Sequence, residues 1–156
     1  MGEFPGIQSP LAMELSGNRA YVLDSQELSI FDLSKPDQLT LLGSAPASGR
    51  LLALGDGVAL VGAPSAIEVV DIRTASHPTN VARNTVGMQF GLEIETRSLG
   101  GISMDGRTGF LGFAGGGLMV YDLSNPENLN FRGGVPIDGI PGLMGPRVQR
   151  ARIPSK

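Results

Sequence analysis

A five-residue pattern that ends in aspartate occurs three times along the chain. The copies lie at Leu28–Asp32, Ile67–Asp71 and Leu118–Asp122, and in each the first and third residues are aliphatic. The aspartates are 39 and then 51 residues apart, and an aliphatic residue follows each of them. Apolar residues with a period of two lie on one face of a β-strand. Because a short β unit cannot cover its own apolar faces, this repetition predicts β units that stack on one another.

When the three patterns are aligned, the residues before and after them also correspond. A proline lies four residues after the aspartate in the first and third copies, at Pro36 and Pro126, whereas the second copy has Ala75 there. A turn sequence precedes each pattern: Gly17-Asn18, Asp56-Gly57 or Asp105-Gly106. Asn18 and the Asp-Gly pairs tolerate the positive φ that tight hairpin turns require, so each turn predicts a β-hairpin.

Each copy therefore contains signals for four strands, which we expect to form an antiparallel four-stranded sheet. The predicted strands cover about 11–15, 19–24, 27–33 and 39–44, then 51–54, 58–62, 66–72 and 79–83, then 101–104, 108–113, 117–123 and 129–134. Residues 1–134 thus hold three repeats (about 11–44, 51–83 and 101–134), with an insertion at 84–100 that could add a strand at 88–95. The Pro- and Gly-rich tail, 135–156, is typical of a linker or a wrapping segment.

Composition excludes several classes of protein. Only 17% of the residues are charged and 41% are apolar, which is not the composition of a disordered chain. The absence of cysteine excludes disulfides, thiol catalysis and cysteine-based metal sites. No apolar run is long enough to predict a membrane span. The start of the chain lacks the features of a signal peptide, so we expect a cytoplasmic protein or a leader outside this sequence.

Charge is distributed unevenly along the chain. Residues 1–146 hold 8 basic and 15 acidic side chains, whereas 147–156 hold four basic side chains and no acidic one. This basic tail could bind an anion, a membrane surface or the acidic body, but a solvated terminus is the simpler interpretation. The acidic body and an aromatic content of 5% argue against nucleic-acid binding.

The repeated pattern with the following Ser-x-Pro resembles the LVIVD repeat, a β-propeller repeat, over about residues 11–134. The resemblance implies an all-β fold of propeller-type blades in a bacterial or archaeal protein, at the cell surface or outside the cell if the parent protein is exported. It implies no single catalytic activity and no cofactor. WD40 repeats, the neighbouring class, fit less well because the chain has no tryptophan.

Three blades leave a propeller ring incomplete, since closed propellers have roughly four to eight blades. Three resolutions stay open from the sequence. The chain could be part of a longer repeat protein, or it could pair with itself or with a protein partner to complete the ring. It could also be a compact three-unit fold whose insertion and tail cover the exposed faces.

The three repeated aspartates are the first candidates for chemistry. Asp32, Asp71 and Asp122 could surround a channel and hold a cation, but a residue that recurs in every repeat favours a structural role. We expect each carboxylate to accept backbone N–H groups in the turn that follows it. His77, the only histidine, occupies the position of Gln38 and Asn128 in the other copies, which predicts a surface turn and not a catalytic base.

Three further features have simple structural interpretations. The glycine run 115–117 precedes a strand and lacks the Lys-Ser/Thr of a phosphate-binding loop, so it predicts a hairpin turn. Glu93 and Glu95 could act as paired carboxylates, although a solvated strand edge is the simpler interpretation. Arg132–Gly134 forms a single Arg-Gly-Gly step, which alone does not indicate RNA binding. We therefore predict no catalytic, cofactor-binding or metal-binding residue.

These observations predict a non-catalytic β-propeller repeat module that binds or scaffolds proteins, within a larger LVIVD-repeat protein or assembly. In that case the loops near 84–100 would be the contact region. The alternative is a segment of a secreted propeller hydrolase or oxidoreductase whose catalytic residues lie outside this chain.

Overall fold

A computed structural model of the chain describes residues 7, 9–35, 37–85, 99–113 and 117–135. In chain order its strands are β1 (Ala12–Ser16), β2 (Arg19–Leu23), β3 (Glu27–Asp32), β4 (Thr40–Pro46), β5 (Leu51–Leu54), β6 (Val58–Ala63), β7 (Ala66–Asp71), β8 (Thr79–Thr85), β9 (Leu99–Asp105), β10 (Thr108–Phe113), β11 (Leu118–Asp122) and β12 (Asn130–Val135). They form three antiparallel sheets of four strands, each with its strands in sequence order. We call these sheet 1 (β1–β4), sheet 2 (β5–β8) and sheet 3 (β9–β12).

The all-β fold with antiparallel four-stranded sheets is confirmed, and every described strand begins and ends within two residues of the prediction. Two strands extend into the segment assigned to the insertion, because β8 continues to Thr85 and β9 begins at Leu99. The predicted strand at 88–95 and the tail after residue 135 lie outside the described residues. The described part of the chain holds no helix with the length and apolar character to cross a membrane.

The turn that joins the first two strands of each sheet depends on a glycine. Gly17, Gly57 and Gly106 adopt φ of 56°, 76° and 56°, which strongly favours glycine over residues with a Cβ. In the first of these turns Gly17, and not Asn18, takes the positive φ, and no described non-glycine residue does so. The turn between β1 and β2 therefore needs only one residue with positive φ.

The sheets pack face to face in chain order, with sheet 2 between the other two. One apolar cluster joins sheets 1 and 2 and includes Ile30, Leu52 and Val70. A second cluster joins sheets 2 and 3 and includes Val69 and Leu111. Burial of an aliphatic side chain of this size contributes about 1.5–3 kcal/mol, so these two interfaces supply most of the apolar stabilisation.

Candidate functional site

The three repeated aspartates end the third strand of each sheet and begin the turn that follows. Asp32 Oδ1 accepts the backbone N–H of Ser34 at 2.8 Å, Asp71 Oδ1 accepts that of Arg73 at 3.0 Å, and Asp122 Oδ1 accepts that of Ser124 at 2.8 Å. Each contact spans two residues, which is the geometry of an Asx turn. The carboxylates are therefore occupied by their own turns.

The side chains around these carboxylates stabilise their charged form. Hydrogen bonds from the Ser34 side chain and backbone lower the pKa of Asp32, and the Arg73 side chain lowers the pKa of Asp71. The pKa of Asp122 lies far below its ordinary value, because the side chain and backbone of Ser124 donate to it and Arg132 also pairs with it. All three groups are thus ionised at neutral pH.

The structure distributes the three aspartates, one to a sheet, and does not combine them into a metal site. Within the described ranges no group of three or more His, Asp and Glu side chains is placed to hold a metal ion. The residue after each aspartate donates its N–H to the hairpin turn between the first two strands of its sheet: Leu33 to Asn18, Ile72 to Gly57 and Leu123 to Arg107. The aspartate therefore lies where two turns of one sheet meet.

His77 lies in an exposed turn after β7. Its Nδ1 is 2.9 Å from Ser76 Oγ, and its backbone N–H donates to the Thr74 carbonyl. The equivalent residues of sheets 1 and 3, Gln38 and Asn128, donate to the carbonyl three residues before them in the same way. This histidine thus occupies a turn position that recurs in every sheet.

The remaining sequence candidates also have structural partners or lie outside the described residues. The Phe113 N–H donates to the Gly117 carbonyl at 3.1 Å, across the loop between β10 and β11. The other two residues of the glycine run are not among those described, and neither are Glu93 and Glu95. Arg132 in β12 pairs with Asp122.

One buried carboxylate was missed by the sequence analysis. Glu68 in β7 is 2% exposed, and its Oε2 accepts hydrogen bonds from Asn80 Nδ2 at 2.7 Å and from the Ser48 N–H at 3.4 Å. Its Oε1 lies 3.5 Å from Arg83 Nη1 and has no hydrogen-bond partner among the described residues. Asn80 also donates to the Pro46 carbonyl of sheet 1 at 2.9 Å. Glu68 and Asn80 therefore form a polar link between sheets 1 and 2.

The only sequence signal for this link is the acidic residue itself. Glu68 is the second residue of its pattern, where the other copies have Ser29 and Met119. Ser29 is also buried and donates to Glu27 Oε1 at 3.1 Å, so a polar residue at this position recurs in two sheets.

The first strands of the three sheets lie side by side and enclose a groove of about 310 Å³. The groove is lined by residues 14–16, 52–54 and 102–104. Its polar lining is one carboxylate, on Glu14, and the hydroxyls of Ser16 and Ser103. Such a lining offers hydrogen bonds to a polar group but no assembled nucleophile and base.

The outward face of sheet 1, which we call the leading flank, is buried over β2 and β3 but exposes apolar side chains of β1 and β4. We define it by Met13, Leu15, Ala20, Val22, Phe31 and Leu41, which share a face through cross-strand pairing. Met13 and Leu15 are 53% and 61% exposed. The matching residues of sheet 2, Leu52 and Leu54, pack against sheet 1 in the first apolar cluster.

The outward face of sheet 3, which we call the trailing flank, is defined by Phe110, Gly112, Leu118 and Val120. Leu118 is 41% exposed, and Phe110 and Val120 are half-buried. The residues of sheet 2 that match Leu118 and Val120 are Ile67 and Val69, and both are buried against sheet 3.

Three antiparallel four-stranded sheets that stack in chain order define a propeller-type β-repeat fold. The LVIVD repeat family matches residues 12–46, which are sheet 1 in full, and 101–135, which are sheet 3 apart from the first two residues of β9. Sheet 2 lies outside both matches.

The solved structures similar to this chain include the N-terminal domain of Nup159, at 11% identity and a TM-score of 0.51 over 84% of this chain and 32% of that one. A chain from an S. cerevisiae complex of Dbp5 bound to Nup159, Gle1, IP6 and ADP matches with the same score and identity, over 77% of this chain and 32% of that one. This likeness shows the fold alone, and the present chain spans about a third of the length of these solved chains. A comparison with curated proteins gave no match.

Proposed function

We propose that this chain is a non-catalytic β-propeller repeat module that binds or scaffolds proteins as part of a larger propeller assembly. The observation that carries the proposal is the pair of apolar flanks. Three apolar side chains on these flanks are exposed: Met13, Leu15 and Leu118. The corresponding residues of sheet 2 pack in the apolar interfaces between sheets. Exposed apolar surface of this kind is typical of a protein-interaction site.

The proposal includes sheet 2 as a third, divergent copy of the repeat. The β-bulge between the third and fourth strands recurs at Ile30/Phe31, Val69/Val70 and Val120/Tyr121. The turn contacts of Asp71 and His77 in sheet 2 also have equivalents in sheets 1 and 3. An equivalent bulge in each sheet supports a common origin, because bulges are positional features of a fold and not random defects.

A binding role also fits the contacts that the polar candidate residues make within their own turns. Asp32, Asp71 and Asp122 accept hydrogen bonds within their turns, and His77 faces solvent beside Ser76. A hydrolase would need a nucleophile, a base and a third group in mutual contact. The alternative, a segment of a propeller enzyme, would take its catalytic residues from outside this chain.

Affinity capture with purified chain from a lysate of the source organism tests the proposal. Wild type and His77→Ala should recover the same proteins, because the histidine turn lies away from both flanks. Met13→Glu combined with Leu15→Glu should lose them, because two charges would replace exposed apolar contacts. The proposal is contradicted if the double variant still recovers every protein, or if the chain shows turnover that His77→Ala abolishes.

A further inference from the structure

We propose that the polar link between sheets 1 and 2 determines which sheet packs against sheet 1. The link consists of Glu68 and Asn80, on the face of sheet 2 that contacts sheet 1. Repeated units of similar shape can pack in the wrong order, which is a characteristic failure of repeat proteins during folding. A selective contact at one interface limits such errors. This role lies beyond the proposed binding function, because it acts on assembly of the fold itself.

The two interfaces between sheets differ in chemistry at matching positions. Sheet 2 places Glu68 and Asn80 in its interface with sheet 1. The corresponding residues of sheet 3 are Met119 and Phe131, and both pack in the apolar cluster that joins sheets 2 and 3. The ring centroids of Tyr121 and Phe131 are 5.5 Å apart in that cluster. Sheet 2 therefore docks on the sheet before it through polar residues at these positions, whereas sheet 3 docks through apolar ones.

Sheet 1 and the segment that follows it supply the groups that this polar face requires. Asn80 Nδ2 donates to the Pro46 carbonyl at 2.9 Å, and the Ser48 N–H donates to Glu68 Oε2 at 3.4 Å. Pro46 ends β4, and Ser48 lies in the segment that connects β4 to β5. Both groups belong to the backbone, so the path of the chain between sheets 1 and 2 puts them in place. The polar residues of sheet 2 thus match this one surface.

Packing of the same face of sheet 2 on another sheet would cost Glu68 its partners. The side chain is 2% exposed, and its Oε1 has no hydrogen-bond partner among the described residues. Loss of the Ser48 N–H would leave Asn80 as the only described hydrogen-bond donor to the carboxylate. The residues that define the trailing flank have no polar side chain to replace it. A buried carboxylate without partners is strongly destabilising, so this pairing would be rejected.

A polar link of this kind selects a partner more than it adds stability. The loss of hydration on burial offsets much of what the hydrogen bonds of Glu68 and Asn80 contribute. Replacement of both partners by apolar residues of similar size is often neutral or stabilising. Removal of one partner is different, because it leaves the other buried and unpaired. The single and the double substitutions therefore separate selectivity from stability.

The other two sheets supply apolar replacements for this test. Sheet 3 has Met119 at the position of Glu68, and sheet 1 has Leu41 at the position of Asn80. Met is close in size to Glu, and Leu is close in size to Asn, so the exchange nearly conserves volume. Glu68→Met combined with Asn80→Leu thus removes the polar link with side chains that the same kind of sheet already carries.

Refolding of the full chain from urea at several chain concentrations, followed by size-exclusion chromatography with light scattering, tests the proposal. The double variant should have a urea midpoint equal to or above that of wild type. It should nevertheless refold to a mixture of masses, with at least about twofold more material above the main wild-type mass, because its docking face now fits more than one apolar face. The excess should grow with chain concentration, since packing between chains then competes with packing within one chain.

Asn80→Leu alone is the sharper comparison. It keeps the buried carboxylate of Glu68 but removes a donor, so it should lower the urea midpoint and still give the mass distribution of wild type. Gln38→Leu, in an exposed turn, adds the same apolar side chain away from the link and should change neither measurement. Far-UV circular dichroism of each variant, with wild type as reference, establishes that every sample is folded.

Two results would overturn the proposal. A double variant that refolds to the wild-type mass distribution at every concentration would show that the polar link does not select the pairing of sheets. A double variant whose urea midpoint falls as far as that of Asn80→Leu would show that the link acts through stability alone. Either result would leave the proposed binding function in place, because that function is tested through Met13 and Leu15.

Discussion

Sheet 2 and sheet 3 have the same strand order but differ in how they are buried. In β6 and β7 of sheet 2 every residue except the last is buried, so both faces are covered. In β10 of sheet 3 buried residues alternate with half-buried ones, so one face is covered and the other is only partly covered. Because the two sheets share their pattern of residues, the difference shows that burial here depends on the neighbouring sheet.

The sheets also differ in whether they match the repeat family. Sheets 1 and 3 match the LVIVD repeat family and sheet 2 does not. Sheet 2 differs at residues that contact sheet 1, with Glu68 and Asn80 where sheet 1 has Ser29 and Leu41.

The largest expected effect is the contrast between Ile67→Ala and Leu118→Ala, which truncate matching residues. Ile67 is fully buried between sheets 2 and 3, so its truncation should lower the free energy of unfolding by about 2–5 kcal/mol. Leu118 is 41% exposed, so its truncation should cost under about 1 kcal/mol in the dilute single chain. Urea denaturation followed by circular dichroism measures both.

Equal losses for the two variants would contradict the difference in burial between sheets 2 and 3. Because an exposed apolar face can pair between copies of a chain, the measurement is made over a range of chain concentrations. A Leu118→Ala effect that grows with concentration would point to a partner on that flank.

The next effect concerns the polar link between sheets 1 and 2. Asn80→Ala removes the hydrogen bonds to Glu68 Oε2 and to the Pro46 carbonyl, and it leaves a buried carboxylate with one donor fewer. We expect a loss of about 1–3 kcal/mol in the free energy of unfolding. Asn130→Ala, at an exposed position of β12, is the control and should change stability by less than about 0.5 kcal/mol. A neutral Asn80→Ala would mean that the link does not stabilise the interface.

The sequence predicted the strands well because the signals for them are local. Alternation around Ile30, Val69 and Val120, together with the turn glycines, fixes where each strand begins and ends. The position of His77 in a recurring turn could also be read from alignment of the copies. These features depend on residues close together in the chain.

The polar link and the groove could not be predicted, because they depend on contacts between sheets. Glu68, Asn80 and Pro46 are brought together only when sheet 2 packs on sheet 1. The groove takes residues from β1, β5 and β9, which are separated by whole repeats. No periodicity within one repeat carries information about how its neighbour is placed.

A smaller effect is expected from adding one methyl group at matching glycines. Gly62→Ala would force its Cβ to 3.1 Å from Leu51 Cβ and to 2.8 Å from Leu99 Cδ2, and should destabilise the chain by about 1–3 kcal/mol. Gly112→Ala meets no close contact among the described residues and neither glycine has positive φ, so it should be neutral or stabilise by up to about 1 kcal/mol. Thermal unfolding of the two variants measures the contrast, and a destabilised Gly112→Ala would show that the trailing flank is already filled.

The smallest effect is a dependence of stability on pH that differs between sheets 1 and 3. The pKa values of Asp32 and Asp122 are lowered from an ordinary value of 3.8, so each carboxylate binds its proton less readily in the folded chain than in the unfolded one. The stabilisation is therefore fully present above about pH 4 and is lost as the pH falls through the folded-state pKa. Asp122 pairs with Arg132 in addition to Ser124, whereas Asp32 accepts hydrogen bonds from Ser34.

Asp122→Asn keeps an oxygen that can accept the Ser124 N–H but removes the charge, and Asp32→Asn does the same in sheet 1. We expect both substitutions to flatten the fall in Tm between pH 5 and pH 2, with the larger change for Asp122→Asn, because only that variant also loses an ion pair. Both carboxylates are partly open to solvent, so the effects should shrink as salt is added. Equal flattening by the two variants at low salt would show that the Arg132 pair contributes nothing to the turn of sheet 3 beyond what its serine supplies.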